Sequence, residues 1–179
     1  APLSAATFQF FANQGFWLSD EAAFAGDKIK LYTVVVNNDF SKLSATVRFS
    51  ANGTVIGSTS VRDVAFEEAR QVWIEYTVPQ GPVTLTMNLT DIVARSDGGD
   101  IVSIGVDDLV TVQEGKAFTF DIDTDGDDIG NAVDSDDDND GLLDTKEQEV
   151  KTDPLKKDSD GDGLEDGAEV RDGLNPTNA

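Results

Sequence analysis

Apolar and polar residues alternate with a period of two along much of the chain before Asp121, the spacing of strands with one buried face. Val83, Leu85, Met87 and Leu89 fall on one side of such a segment, and Thr84, Thr86, Asn88 and Thr90 on the other. Val47, Phe49 and Ala51 alternate with Thr46, Arg48 and Ser50, and Asn52-Gly53 follows before Thr54 to Val61. That dipeptide accepts the positive φ angles of a tight hairpin turn, so the two segments read as a hairpin. Thr7 to Phe11, Lys28 to Val36, Gln71 to Val78 and Asp100 to Val112 read as further strands, with turns at Asn37-Asn38-Asp39, Pro79 to Pro82 and Ser96 to Gly99. About seven short strands in roughly 115 residues predict a mainly β fold, an antiparallel sandwich.

The alternation ends near Phe120, and the composition changes with it. All ten Phe, both Trp and both Tyr lie before Asp121, so the material of a conventional core is confined to the first part. Charge shows the reverse bias. Residues 1–120 hold 14 acidic and 8 basic side chains, whereas residues 121–179 hold 21 and 5, most of the chain's net −22. A domain of residues 1–119 followed by a distinct segment of residues 120–179 is the expected organisation.

The overall negative charge disfavours nucleic acid as a partner. No stretch approaches the length of a membrane span, the longest run of valines being Val34 to Val36. The absence of Cys and His excludes zinc sites of the usual kind, disulfides, thiol nucleophiles and histidine-based triads. Carboxylate chemistry remains.

The acidic segment is not a random run of charge. Read as loops of twelve, it places carboxylates at positions 1, 3 and 5, a turn residue at 6, a polar residue at 9 and a carboxylate at 12. The second loop has Asp136, Asp138, Asp140, Gly141, Asp144 and Glu147 at these positions; the third has Asp158, Asp160, Asp162, Gly163, Asp166 and Glu169. The first has Asp123, Asp125, Asp127, Asn131 and Asp134, with Asp128 where the others have the turn glycine. Aspartate tolerates the left-handed region better than most residues, so the turn is expected to survive there. Calcium takes about six to eight hard oxygens at ~2.3–2.6 Å, and a curled loop brings side chains 1, 3 and 5 around one point. Position 7 contributes its carbonyl, which assigns Ile129, Leu142 and Leu164 to the sphere and leaves their side chains to pack beneath the loops. Magnesium, with its smaller shell, accepts fewer carboxylates. About three Ca²⁺ ions are expected, or more if neighbouring loops share carboxylates.

No incoming helix precedes the second loop, so these are not EF-hands. Short exit helices fit Asp144 to Val150 and Glu165 to Val170, stopped by Thr152-Asp153-Pro154 and by Gly173 with Asn175-Pro176. The intervals from Asp136 to Asp158, Glu147 to Glu169 and Pro154 to Pro176 are all 22 residues, a true repeat. That register opens a fourth loop just after Ala179, and a native chain that continues is the expectation.

Two resemblances follow. Gly26-Asp27-Lys28-Ile29-Lys30-Leu31-Tyr32-Thr33-Val34-Val35-Val36-Asn37-Asn38, then Ala45 to Phe49 with Asn52-Gly53, then Val78-Pro79-Gln80-Gly81, resemble the immunoglobulin-like CARDB family over residues 15 to 95. This resemblance implies a seven-stranded immunoglobulin-like sandwich serving as a spacer or adhesive unit, with no catalytic residues. Residues 121 to 179 closely resemble thrombospondin type 3 repeats, with Val133 where the animal proteins carry a disulfide cysteine. This second resemblance implies calcium wound into an otherwise irregular chain.

Taken together these features predict a non-catalytic, extracellular or cell-surface calcium-binding module acting as an adhesion or spacer unit. Its partners are calcium ions and a protein or carbohydrate ligand on the sandwich, with no insertion into a membrane. Two other readings compete. Dockerins use similar loops to bind a partner domain, but with longer amphipathic exit helices. Self-cleavage at Asp153-Pro154 would use an acid-labile bond, yet Asn175-Pro176 occupies the same repeat position, as a turn requires. Trp73, on the strand face opposite Val72, Ile74 and Tyr76, is expected to be exposed.

Overall fold

The computed structural model describes residues 8–9, 11–102, 109–110 and 115–179, with side chains from 15 to 102 and from 115 onward. The chain divides into two compact units, Ala1–Phe120 and Asp121–Ala179. The first contains β1 (Phe8–Gln9), β2 (Phe11–Leu18), β3 (Lys28–Asn37), β4 (Lys42–Ala51), β5 (Thr54–Ala65), β6 (Glu68–Thr77), β7 (Gly81–Arg95), β8 (Ile101–Val102), β9 (Leu109–Val110) and β10 (Lys116–Phe120). The second contains two seven-residue helices, α1 (Asp144–Val150) and α2 (Asp166–Asp172).

Two antiparallel sheets form the first unit, one ordered β2-β3-β6 and the other β10-β7-β4-β5 with β8 on β7. The chain changes sheet between β3 and β4, between β5 and β6, and between β6 and β7, as in a Greek-key immunoglobulin-like sandwich. β1 and β9 form a short parallel pair. The predicted alternation places the core: Val83, Leu85, Met87 and Leu89 of β7 are buried, as are Val47 and Phe49 of β4 and Leu31 and Val35 of β3, all in one cluster.

The turns follow their residues. Asn52 and Gly53 adopt φ of 49° and 79°, and the Asn52 side-chain oxygen accepts the Thr84 N–H at 2.8 Å. Asn37 is wholly buried; its amide donates to the Phe40 and Val64 carbonyls at 2.8 Å each, tying the β3–β4 turn to β5. Register shifts opposite Ser44 and Ala45 coincide with Asp63 and Asp91, both at positive φ, which identifies them as bulges.

Three strand assignments differ from the sequence pattern. The first strand does not stop at Phe11: β2 runs to Leu18, with a register shift between Phe11 and Phe16 and Gly15 at φ 68°, an irregularity that interrupts the period of two. Within Asp100 to Val112, strand is found at 101–102 and 109–110, residues 103–108 and 111–112 lying outside the described set. Lys116–Phe120 is an additional strand paired with the start of β7, and it buries Phe120.

Trp73 is exposed on the outer face of β6, as its position in the strand required. Its register partner on β3 is Tyr32, which stacks on Trp17 of β2 at 5.9 Å, and the Lys30 ammonium lies 4.1 Å from the centre of the Trp73 ring. The three aromatic rings thus form a row across the whole sheet.

Phe49 is 1% exposed in the middle of this core. Phe49→Ala is expected to lower unfolding stability by about 3–5 kcal/mol, read as a fall in denaturant midpoint.

Candidate metal centre

The C-terminal unit has almost no apolar core: Leu142 and Pro176 are the apolar side chains it buries. Its backbone is instead organised by aspartates, and all three loops use the same hydrogen bonds. The position 1 carboxylate takes the N–H of position 6: Asp123 from Asp128 at 3.1 Å, Asp136 from Gly141 at 3.1 Å, Asp158 from Gly163 at 2.9 Å. Position 3 takes the N–H of position 5, with Asp125, Asp138 and Asp160 each accepting at 3.1 Å. Position 5 takes the N–H of position 7, Asp127 from Ile129 at 2.8 Å, Asp140 from Leu142 at 2.7 Å and Asp162 from Leu164 at 2.8 Å. Each carboxylate therefore folds its own stretch of backbone and turns toward the same centre.

Curling so tightly needs left-handed residues at two positions, not one. Position 6 is Asp128, Gly141 and Gly163 at φ 71°, 91° and 96°; position 4 is Gly126, Asn139 and Gly161 at 82°, 59° and 81°. Glycine and asparagine at position 4 were a readable signal that the loop template alone did not use.

Within each loop the carboxylates at positions 1, 3 and 5 offer oxygens within 4.8 Å of one another: Asp123, Asp125 and Asp127; Asp136, Asp138 and Asp140; Asp158, Asp160 and Asp162. Position 9 braces the loop. Asn131 accepts the N–H of Thr124 at 3.1 Å, Asp144 that of Asp137 at 3.0 Å and Asp166 that of Ser159 at 3.0 Å, in each case the N–H of position 2. Asp144 and Asp166 also begin α1 and α2, so one helical turn later Glu147 and Glu169 emerge on the same face and are buried. In the first loop Asp134 is half-buried and its Oδ1 accepts the N–H groups of Ser135 and Asp136 at 2.6 and 3.1 Å.

Of the position 7 side chains expected to pack beneath their loops, only Leu142 does; Ile129 and Leu164 are 44% and 46% exposed. The second loop is the one covered by the following repeat. The Gly167 N–H donates to Asp140 Oδ2 at 2.7 Å, and a Cβ at Gly167 would lie 2.5 Å from the Asp140 carbonyl oxygen and 3.1 Å from the Leu142 nitrogen. Glycine is thus required there for close approach.

The electrostatics are unfavourable without a cation. Buried carboxylate oxygens with no hydrogen-bond partner occur on Asp125, Asp137, Asp138, Glu147, Asp160, Asp166 and Glu169. Burial, reinforced by Asp138 and Asp140, pushes Glu147 up to about 7, and burial with Asp140 beside it pushes Asp138 up to about 6. Glu169 is raised by burial and then by Asp160 and Asp162. Thr152 donates to Glu147 Oε1 at 3.3 Å, which leaves Oε2 the unpartnered oxygen. Hard, anionic oxygens gathered without donors fit a divalent cation of the calcium type, and Asp137, absent from the loop template, is among them.

No curated protein matches the chain. Two solved structures of a CARDB domain from Pyrococcus furiosus are similar to part of this chain. The crystal structure, determined in complex with di-metal ions, has 14% identity and a TM-score of 0.43, covering 64% of this chain and 97% of that one. The solution structure has 10% identity and a TM-score of 0.33, covering 51% and 82%. The immunoglobulin-like assignment rests on the strand order given above. Residues 136–157 and 158–179 each match the bacterial TSP3 repeat, in tandem, and the first loop precedes the matched residues.

Proposed function

We propose that the C-terminal unit binds about three calcium ions, one per loop, and that these ions replace the apolar core it lacks. Positions 1, 3, 5 and 12 supply carboxylates, position 7 its carbonyl, and position 9 chiefly braces the loop. The observation that carries this reading is the set of buried, unpartnered carboxylate oxygens, all of which, among the described residues, belong to this unit. Each costs free energy when ionised and dry, and a bound cation converts that cost into coordination.

In this reading the protein is a non-catalytic module of an extracellular or cell-surface protein. The calcium repeats form a stiff spacer, and the sandwich is an adhesion or spacing unit whose aromatic row at Trp17, Tyr32 and Trp73 is the surface for a protein or carbohydrate ligand. The direct packing of Gly167 on Asp140 supports stiffness, since it joins the second loop directly to the following repeat. The helices do not support docking of a partner in the dockerin manner. They span seven residues each, and the only side chains of α1 and α2 that are buried are acidic ones. Asp153 belongs to a turn: its carbonyl accepts the Lys156 N–H at 2.9 Å, and Lys156 holds its carboxylate in an ion pair at 2.7 Å, below the usual range of protonation.

Three outcomes test the proposal. Trypsin should cleave at the exposed Lys151, Lys156 and Lys157 in EDTA and be blocked by Ca²⁺; equal cleavage in both would contradict it. Glu147→Gln, which removes a charge and the bidentate clamp, should weaken the second site roughly tenfold to thousandfold in a calcium titration. The third outcome concerns pH. Glu147 titrates near 7 in the metal-free fold, above its ordinary value, so ionising it destabilises that fold as pH rises, and below 7 calcium must displace its proton. Affinity should accordingly rise about tenfold from pH 6 to pH 8 through this group alone, and the rise should flatten in Glu147→Gln.

A further inference from the structure

Position 5 is held differently in the three loops. Asp127 and Asp162 each accept one N–H group, through Oδ1, and stand exposed. Asp140 accepts two, each at 2.7 Å: the Leu142 N–H on Oδ1 and, from 27 residues along the chain, the Gly167 N–H on Oδ2. Both of its oxygens are therefore held by backbone, which fixes the plane of the carboxylate. Only one of the two donors belongs to the second loop.

The other donor sits inside the machinery of the third loop. Gly167 lies on the first turn of α2 between Asp166 at position 9 and Glu169 at position 12, both buried and each keeping one oxygen without a partner. The chain that leads into this loop is tied in as well. The Lys157 carbonyl accepts the Asp166 N–H at 2.7 Å, and the Lys157 ammonium donates to the Asn139 carbonyl of the second loop at 3.2 Å. Nothing local asks for glycine at 167: its φ is outside the left-handed region, and in a helix glycine is less favourable than alanine. What requires it is the approach to Asp140, whose carbonyl oxygen would stand 2.5 Å from an added Cβ. One repeat earlier the same position is Thr145, which has a Cβ and is exposed, and position 5 of the first loop receives no N–H from it.

We propose that Gly167 is a positioning residue for the second calcium site: its N–H sets the Asp140 carboxylate, so that site is completed by the third repeat. The inference rests on the calcium reading above and extends it. Calcium in the third loop engages Glu169, fixes the first turn of α2 and thereby presents the Gly167 N–H to Asp140. The second site then binds its own ion more tightly, and the reverse follows by linkage.

The test is a calcium titration of the full chain followed by amide resonances, with Gly141 reporting the second loop and Gly163 the third. Glu169→Gln, which weakens the third site directly, should also raise the calcium concentration needed at Gly141, by about fivefold or more. Gly167→Ala should raise it at Gly141 to a similar extent while Gly163 still titrates. The sign separates this from a local role, because alanine is the better helix former and a glycine without a positioning duty would leave Gly141 unchanged or tightened. In the double variant Glu169→Gln should add nothing further at Gly141, since the bond that carries its effect is already lost. A Gly141 titration that matches the parent protein in Gly167→Ala would overturn the assignment, as would a Glu169→Gln shift at Gly141 that is the same with and without Gly167. If Gly167→Ala abolishes titration at both loops, Glu169→Gln alone decides, and an unmoved Gly141 there overturns it. Absence of calcium-dependent shifts in the parent protein would instead sink the functional reading itself, and the role of Gly167 with it.

Discussion

The C-terminal unit depends on the burial of ionisable oxygens that the polypeptide does not satisfy. Backbone N–H groups take one oxygen of Asp125, Asp138 and Asp160 and leave the other dry and unpartnered. Glu147 is fully buried on a helix whose only buried side chain it is. In water each of these groups would be solvated, and a chain of such charge would expand under its own repulsion. On the proposed calcium reading, closing the loops around divalent cations would remove both obstacles at once, in a unit whose short helices, left-handed turns and docking of Gly167 on Asp140 suit such closure.

The two units thus reach order by different physics. The sandwich excludes water from Phe16, Leu31, Val47, Phe49, Leu85 and Met87, an interaction that is non-directional and insensitive to ions. On the proposed reading the repeats would use directional coordination instead, with geometry fixed by side chains that accept N–H groups of their own loop. Such a unit is strong where the ion is plentiful and weak where it is scarce, and a surface environment rich in calcium is where a spacer of this kind would hold its form.

Much of this was legible in the sequence because the governing periods are short. A period of two located Val83 to Leu89 and the Asn52-Gly53 hairpin, and a spacing of two between aspartates located all three carboxylate clusters. Legibility failed where tertiary context overrides the local pattern. Gly15 interrupts the alternation of β2, so a strand that extends to Leu18 looked like a shorter one. Lys116 to Phe120 is too brief to show a period and is a strand because β7 continues far enough to pair with it. Exposure of Ile129 and Leu164, against burial of Leu142, depends on which loop another repeat covers. Asp137 is invisible to the twelve-residue template because that template assigns no role to position 2, yet its carboxylate is buried with Oδ1 unpartnered. The one signal available was the middle aspartate of Asp136-Asp137-Asp138, a position that the other two loops fill with a hydroxyl residue.

The central claim is that cations, not apolar contacts, complete residues 121–179. Calorimetric titration of the chelated protein with Ca²⁺ tests it most directly, because stoichiometry and affinity come from one experiment. The account predicts saturable binding of about three ions, with protons released on binding at pH 6. A flat titration, or one in which residues 121–179 acquire no protection from exchange as the heat is released, would contradict it.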